Sequence, residues 1–150
     1  MYSFRKSKKG FTLIELMVVV AIIGVLALLG LRLYTGQQAK AKEAIVKANA
    51  GTVHTLIQSE LADGPVDIAT FKAATPDGIV GANLHNPFTG IAMVDGDFVE
   101  AATPAAGDDM TGTATAGQII ISEIVSGIDF EVTGVGNNDM AIPETLEAKR

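Results

Sequence analysis

The stretch that decides the fold is Phe11–Leu31, FTLIELMVVVAIIGVLALLGL. Only Thr12 and Glu15 are polar within it, and Leu16–Leu31 carries no polar side chain at all. Twenty-one residues of helix rise about 31 Å, roughly the thickness of a bilayer's hydrocarbon layer. Ahead of it, residues 1–10 (MYSFRKSKKG) hold Arg5, Lys6, Lys8 and Lys9 and no acid. A basic flank before an apolar span predicts an N-terminus on the cytoplasmic side, with everything after Arg32 outside.

Helical signals continue past the span. Residues 35–62 are rich in Ala, Gln, Lys and Glu, all good helix formers, interrupted only by Gly36 and Gly51. Val46, Ala50, Val53, Ile57 and Leu61 fall on one face, so this half of the helix is amphipathic and needs a cover. Asp63-Gly64-Pro65 reads as the stop, with Gly64 as a left-handed cap. The expectation is one helix of about 50 residues, near 75 Å long.

The remainder reads as strand and loop, giving an α+β fold. Ile91–Val94 and Phe98–Ala101 flank Asp95-Gly96, a hairpin signal. Gln118–Val125 and Ile128–Thr133 flank Ser126-Gly127, a second hairpin, whose later strand alternates Ile128, Phe130, Val132 with Asp129, Glu131, Thr133. About four antiparallel strands are expected to cover the helix stripe. Residues 102–117 are poor in hydrophobic bulk and read as a mobile loop. The tail from Asn137 to Arg150 gives no clear element.

Charge and composition narrow the function classes. The net charge is −6, but residues 51–150 hold 15 Asp and Glu against Lys72, Lys149 and Arg150, a balance of −12. A body of that sign disfavours nucleic acid as a direct partner. Cysteine is absent, which excludes disulfides, thiol nucleophiles and cysteine metal sites. No catalytic constellation is present: His54 and His85 lack partners at ligand spacing, Ser59 and Ser122 lack a nucleophile signature, and there is no phosphate loop. The chain does not read as an enzyme.

Lys8–Ala27, KKGFTLIELMVVVAIIGVLA, resembles the N-terminus of a bacterial type IV pilin with a short leader. The features that carry the resemblance are the short basic leader, Gly10 before the junction, hydrophobic Phe11 after it, and Glu15 four residues further on in an otherwise apolar helix. It implies a leader over residues 1–10, a membrane and filament-core helix over 11–35, and a globular head over 36–150. It also implies cleavage between Gly10 and Phe11 by a prepilin peptidase, N-methylation of Phe11, and extraction by an inner-membrane assembly platform into a helical homopolymer. The precursor is then an inner-membrane protein and the assembled pilus extracellular, serving adhesion, motility or DNA uptake.

An ionised carboxylate at mid-span costs about 2.5–3.5 kcal/mol on insertion scales, so Glu15 needs compensation or a shallow position. Pairing of Glu15 with the Phe11 ammonium of a neighbouring subunit supplies it and fixes register. Gly24 and Gly30 are candidate points of helix loosening in a filament; Leu31-Arg32-Leu33-Tyr34 has no proline to assist. Something other than a disulfide must hold residues 134–150.

Two competing readings of the N-terminus leave Glu15 unexplained. A secretory signal peptide finds an A-x-A match at Ala39-Lys40-Ala41, eight residues beyond the apolar run, and puts Glu15 in the apolar region. A plain single-pass anchor gives Glu15 no role. Two alternative functions remain: a pseudopilin of a type II secretion system, and a membrane-tethered domain binding calcium or another ligand. No cofactor is required, but Asp95, Asp97, Asp108, Asp109 and Asp139, with Asn137 and Asn138, are weak calcium candidates. Their simpler role is turn chemistry. Asn86-Pro87-Phe88-Thr89-Gly90 reads as an architectural loop between helix and sheet.

Overall fold

Helix α1 spans Leu13–Asp63, 51 residues of continuous α-helix. A computed structural model describes residues 10–73, 78–102, 113–125 and 127–150, without the side chains of Ala73, Pro143 and Glu144. The chain falls into two compact units, one ending at Gln38 and the other spanning Ala39–Arg150. In the first unit every described residue is exposed, and α1 is long and apolar enough there to cross a membrane. Among the described residues, nothing covers that surface.

In the second unit α1 shows the expected stripe. Val46, Ala50, Val53, Ile57 and Leu61 are all buried, joined by Asn49. The helix stops at Asp63, but Gly64 does not take a positive φ; the left-handed cap is absent. Gly64 N instead donates to Glu60 O at 3.3 Å and Pro65 follows, which ends the helix without reversing the chain's hand. A short helix, α2 (Ile68–Ala73), follows.

Four strands form one sheet in sequence order: β1 (Phe98–Glu100), β2 (Ile119–Val125), β3 (Asp129–Val135) and β4 (Ala141–Lys149). The hairpin around Gly127 forms as the sequence predicts, with β2 and β3 antiparallel. One face of the sheet joins α1 and α2 in the main core. Phe98, Ile119, Ile121, Phe130, Val132 and Ala148 pack there with Val53, Ile57 and Leu61. A smaller core on other side chains joins Ala114, Ile120, Val135 and Ala141. This second core explains why Ile119–Ser122 is buried without alternation.

Three expectations are corrected. The sheet is not wholly antiparallel, because β1 runs parallel to β2. A parallel pair needs a crossover, and the chain between Glu100 and Ile119 supplies it; residues 103–112 of the expected mobile loop lie outside the described residues, while Ala114 is core. The hairpin at Asp95-Gly96 does not form either. Asp95–Asp97 is a 3-10 turn, closed by Asp97 N donating to Val94 O at 2.8 Å and by the Asp97 carboxylate accepting from Val94 N at 3.0 Å. Residues 91–93 pair one loop earlier instead: Asn86 N donates to Ile91 O and Met93 N to Leu84 O, around Asn86–Gly90.

The third correction concerns the tail, which is a nine-residue strand, β4, paired with β3. Its outer edge is covered by α1. The Gln58 side-chain amide donates to Lys149 O and accepts from Lys149 N at 3.1 Å, as a neighbouring strand would. His54 Nε2 meets Glu147 O at 2.9 Å one helical turn earlier. The Lys149 ammonium bonds Glu147 and lies 3.7 Å from Asp129. The Glu147 hydrogen bond, aided by the Asp129 charge and opposed by desolvation, holds its pKa above the usual lysine value.

Close approach fixes two glycines. A Cβ at Gly134 would lie 2.6 Å from Val46 Cγ1 on α1. At Gly117 the backbone is left-handed (φ 91°), and a Cβ would fall 2.0 Å from Asn86 Oδ1.

Candidate functional site

Glycine 10, Phe11 and Thr12 precede the helix in non-helical backbone, and all three are exposed. Phe11 is 82 % exposed. The Gly10–Phe11 junction is therefore exposed and lies outside regular secondary structure. Helix α1 starts at the next residue but one, Leu13, and Leu16 N donates back to Thr12 O at 3.3 Å. Thr12 is therefore the N-cap and Glu15 the third helical residue.

That spacing makes a capping box. Thr12 Oγ1 accepts from Glu15 N at 3.3 Å, and Glu15 Oε2 accepts from Thr12 N at 2.9 Å. The Thr12 hydroxyl also donates to Glu15 Oε2 at 2.7 Å. Two of the backbone donors at the helix start, those of Thr12 and Glu15, are thus satisfied within the chain, and an acid in the first turn suits the positive end of the helix dipole. Sequence reasoning assigned Glu15 to assembly and passed over Thr12. The T-x-x-E spacing at 12–15 was the signal that would have found it. Phe11 and Glu15 are close along the helix start, but the two residues share no hydrogen bond here.

Glycines 24 and 30 lie inside unbroken helix, each open to solvent on its α-carbon. Nothing in the single chain loosens the helix at either one.

Among the described residues no group of three His, Asp or Glu stands ready to hold a metal ion. Asp95 lies 3.7 Å from Lys72, and Asp97 holds its own turn. Asp139 Oδ1 accepts from Ala116 N at 2.6 Å. Asn138 and Asp139 both take left-handed backbone in the tight turn between β3 and β4, a conformation that Asn and Asp tolerate. Asp108 and Asp109 lie outside the described residues. Buried Asn86 completes this end of the head: its Oδ1 accepts from Phe88 N at 2.8 Å and its Nδ2 donates to Ala116 O at 3.1 Å. Thus Asn86, the 114–117 segment and the Asn137–Asp139 turn brace one another. With the Gln58 clamp, this is the closure that other chains could obtain from a disulfide.

His54 and His85 each meet a backbone carbonyl, and Ser59 bonds Leu56 O. All three have structural partners. Phe88 is half-buried, with Lys42 Nζ 5.3 Å from its ring centre.

Comparison with known proteins bears on the same N-terminal stretch. A family model described as "Prokaryotic N-terminal methylation motif" matches residues 5–31. Over nearly the whole chain there is similarity to the Type IV major fimbrial protein FimA of Dichelobacter nodosus, 30% identical across 95% of this chain and 98% of that protein. A second Dichelobacter nodosus sequence, named only as a fimbrial protein, is 32% identical with the same coverage of both chains. The fimbrial protein EcpB of Eikenella corrodens is 40% identical over 56% of this chain and 51% of its own length. Among solved structures there is no significant match.

Proposed function

This chain belongs to the type IV pilin family, structural subunits of pili, and we propose from that premise how it is processed and assembled. The precursor inserts with residues 1–10 in the cytoplasm, because the four basic residues there resist translocation. A prepilin peptidase cleaves Gly10–Phe11 and methylates the new amine of Phe11. The methylated amine stays protonated, so the mature helix begins with a positive charge beside the Thr12–Glu15 cap. The inner-membrane platform then lifts the subunit into a helical polymer of identical chains.

The observation that carries this reading is the arrangement at residues 10–15. An exposed, non-helical Gly10–Phe11 bond precedes a helix whose first turn holds its only acid among the apolar residues. In the polymer, Glu15 faces the Phe11 ammonium of a neighbour. Moving an apolar helix from lipid into a fibre core gains little from hydrophobicity, so packing and polar pairing must supply the preference. The exposed apolar surface of residues 13–34 is what that fibre core buries. Loosening near Gly24 and Gly30 belongs to the assembled state, where neighbours can meet freed backbone groups.

A Gly10→Val variant tests the processing step. A side chain at the residue before the cut should exclude the junction from the peptidase, leaving the precursor in the membrane and no filaments outside. Normal cleavage and normal filament yield from Gly10→Val would contradict the assignment of this junction.

A further inference from the structure

We propose that Arg32 docks on lipid headgroup phosphates at the end of the apolar span, with Tyr34 two residues further on at the same boundary, and so sets the depth of the precursor in the bilayer. The proposal rests on the membrane-anchored reading above and goes beyond it by naming a lipid contact and its residue. Leu16–Leu31 has no polar side chain, so Arg32 is the first polar group met along the helix after Glu15. From Phe11 to Arg32 an α-helix rises about 31 Å, against a hydrocarbon layer of about 30 Å. The helix is unbroken from Leu13 to Arg32, including both glycines, so about 28 Å of that distance is a fixed ruler.

Chemistry selects the occupant. Arg32 is exposed, and among the described residues no carboxylate forms a salt bridge with it. A guanidinium fork matches phosphate oxygens in a bidentate manner, and its stem lies well along apolar surface. Leu31 and Leu33 flank it, both exposed, so a soluble anion at this position would sit against greasy surface while a lipid phosphate would not. Tyr34, 61 % exposed, is a residue type that favours the membrane–water boundary. The next cation, Lys40, lies about 12 Å further along the helix, beyond the phosphate layer. Lys42 is already placed over the Phe88 ring.

The anchor has a consequence at the other end of the ruler. With Arg32 at one boundary, Phe11 lies at the opposite one. Glu15 is then only about 6 Å inside, shallow enough to lower its insertion cost, and the Gly10–Phe11 bond lies at the surface where a peptidase can reach it.

The test uses the full chain with Tyr34→Trp, which introduces the only tryptophan in the sequence. It is reconstituted in vesicles of phosphatidylcholine and phosphatidylglycerol with bromine either near the headgroup or near the acyl methyl end. The indole should be quenched at least about twofold more by the shallow bromine, as an interfacial residue is. Adding Arg32→Leu should even out the two, because the span can slide by about 5 Å once residues 32–34 are apolar enough to enter. Adding Arg32→Lys should keep the shallow pattern. Equal depth for the Arg32 and Arg32→Leu chains would overturn the proposal while leaving the anchored reading intact. A chain that does not insert at all would overturn both.

Discussion

Glu15 has a partner in the single chain and another in the proposed polymer, and the two can be separated by one substitution. Glutamine keeps the acceptor oxygen that the capping box needs, since Glu and Gln both serve at that position. Glu15→Gln should therefore leave the helix start intact while removing the charge. It should insert at least as well as the parent, because desolvation of a carboxylate no longer opposes it. It should also be cleaved, if the peptidase reads mainly Gly10. Alone it should assemble poorly, because each neighbour's Phe11 ammonium is left unpaired in an apolar core. The check is the yield of sheared filaments beside the processed pool in membranes. Normal filament yield would show that this charge pair does not direct assembly. The residue was legible in the sequence because an acid in an apolar run stands out. Its cap with Thr12 was equally legible from spacing, but the apolar context drew the reading toward assembly alone.

At the scale of elements, legibility follows locality. The α1 stripe was readable because a 3.6-residue period needs only neighbours along one helix, and all five of its residues are buried. The β2–β3 hairpin was readable from two apolar runs and a short turn between them. β1 was misread because its partner lies beyond an 18-residue connection, and no local pattern announces a parallel pairing. β4 was missed because its pairing with β3 shifts register between Thr133 and Val135, which spoils simple alternation, and because Pro143 argues against a central strand. Proline is acceptable on an edge, and β4 is an edge strand. Two variants test these elements in a fragment of residues 39–150. Ile57→Ala, at 0 % exposure, should lower the unfolding free energy by about 2–5 kcal/mol in denaturant titration. Gln58→Ala should cost only about 1 kcal/mol, as the loss of exposed hydrogen bonds does. It should, however, speed hydrogen exchange at the Lys149 amide selectively. Unchanged exchange there would mean that Gln58 does not close the strand edge.

For the molecule as a whole, the division of labour follows from where apolar surface is covered. The unit spanning Ala39–Arg150 buries its own core and carries most of the acids, so it is suited to water. The described residues of the unit ending at Gln38 are all exposed, so in the proposed assembly their surroundings change from lipid to sister helices. The family and this division of surfaces were both readable from residues 8–27 together with the charge map. The brace among Asn86, Ala116 and Asp139 was not, because it joins side chains and backbone from three loops that sequence places far apart. The measurement that bears most directly on the account is intact mass and N-terminal sequencing of the subunit in filaments sheared from cells. The predicted result is a chain of residues 11–150 beginning with N-methylated Phe11, as the major component of long fibres. A chain that retains Met1, or one that stays in the membrane and is missing from the fibres, would contradict it.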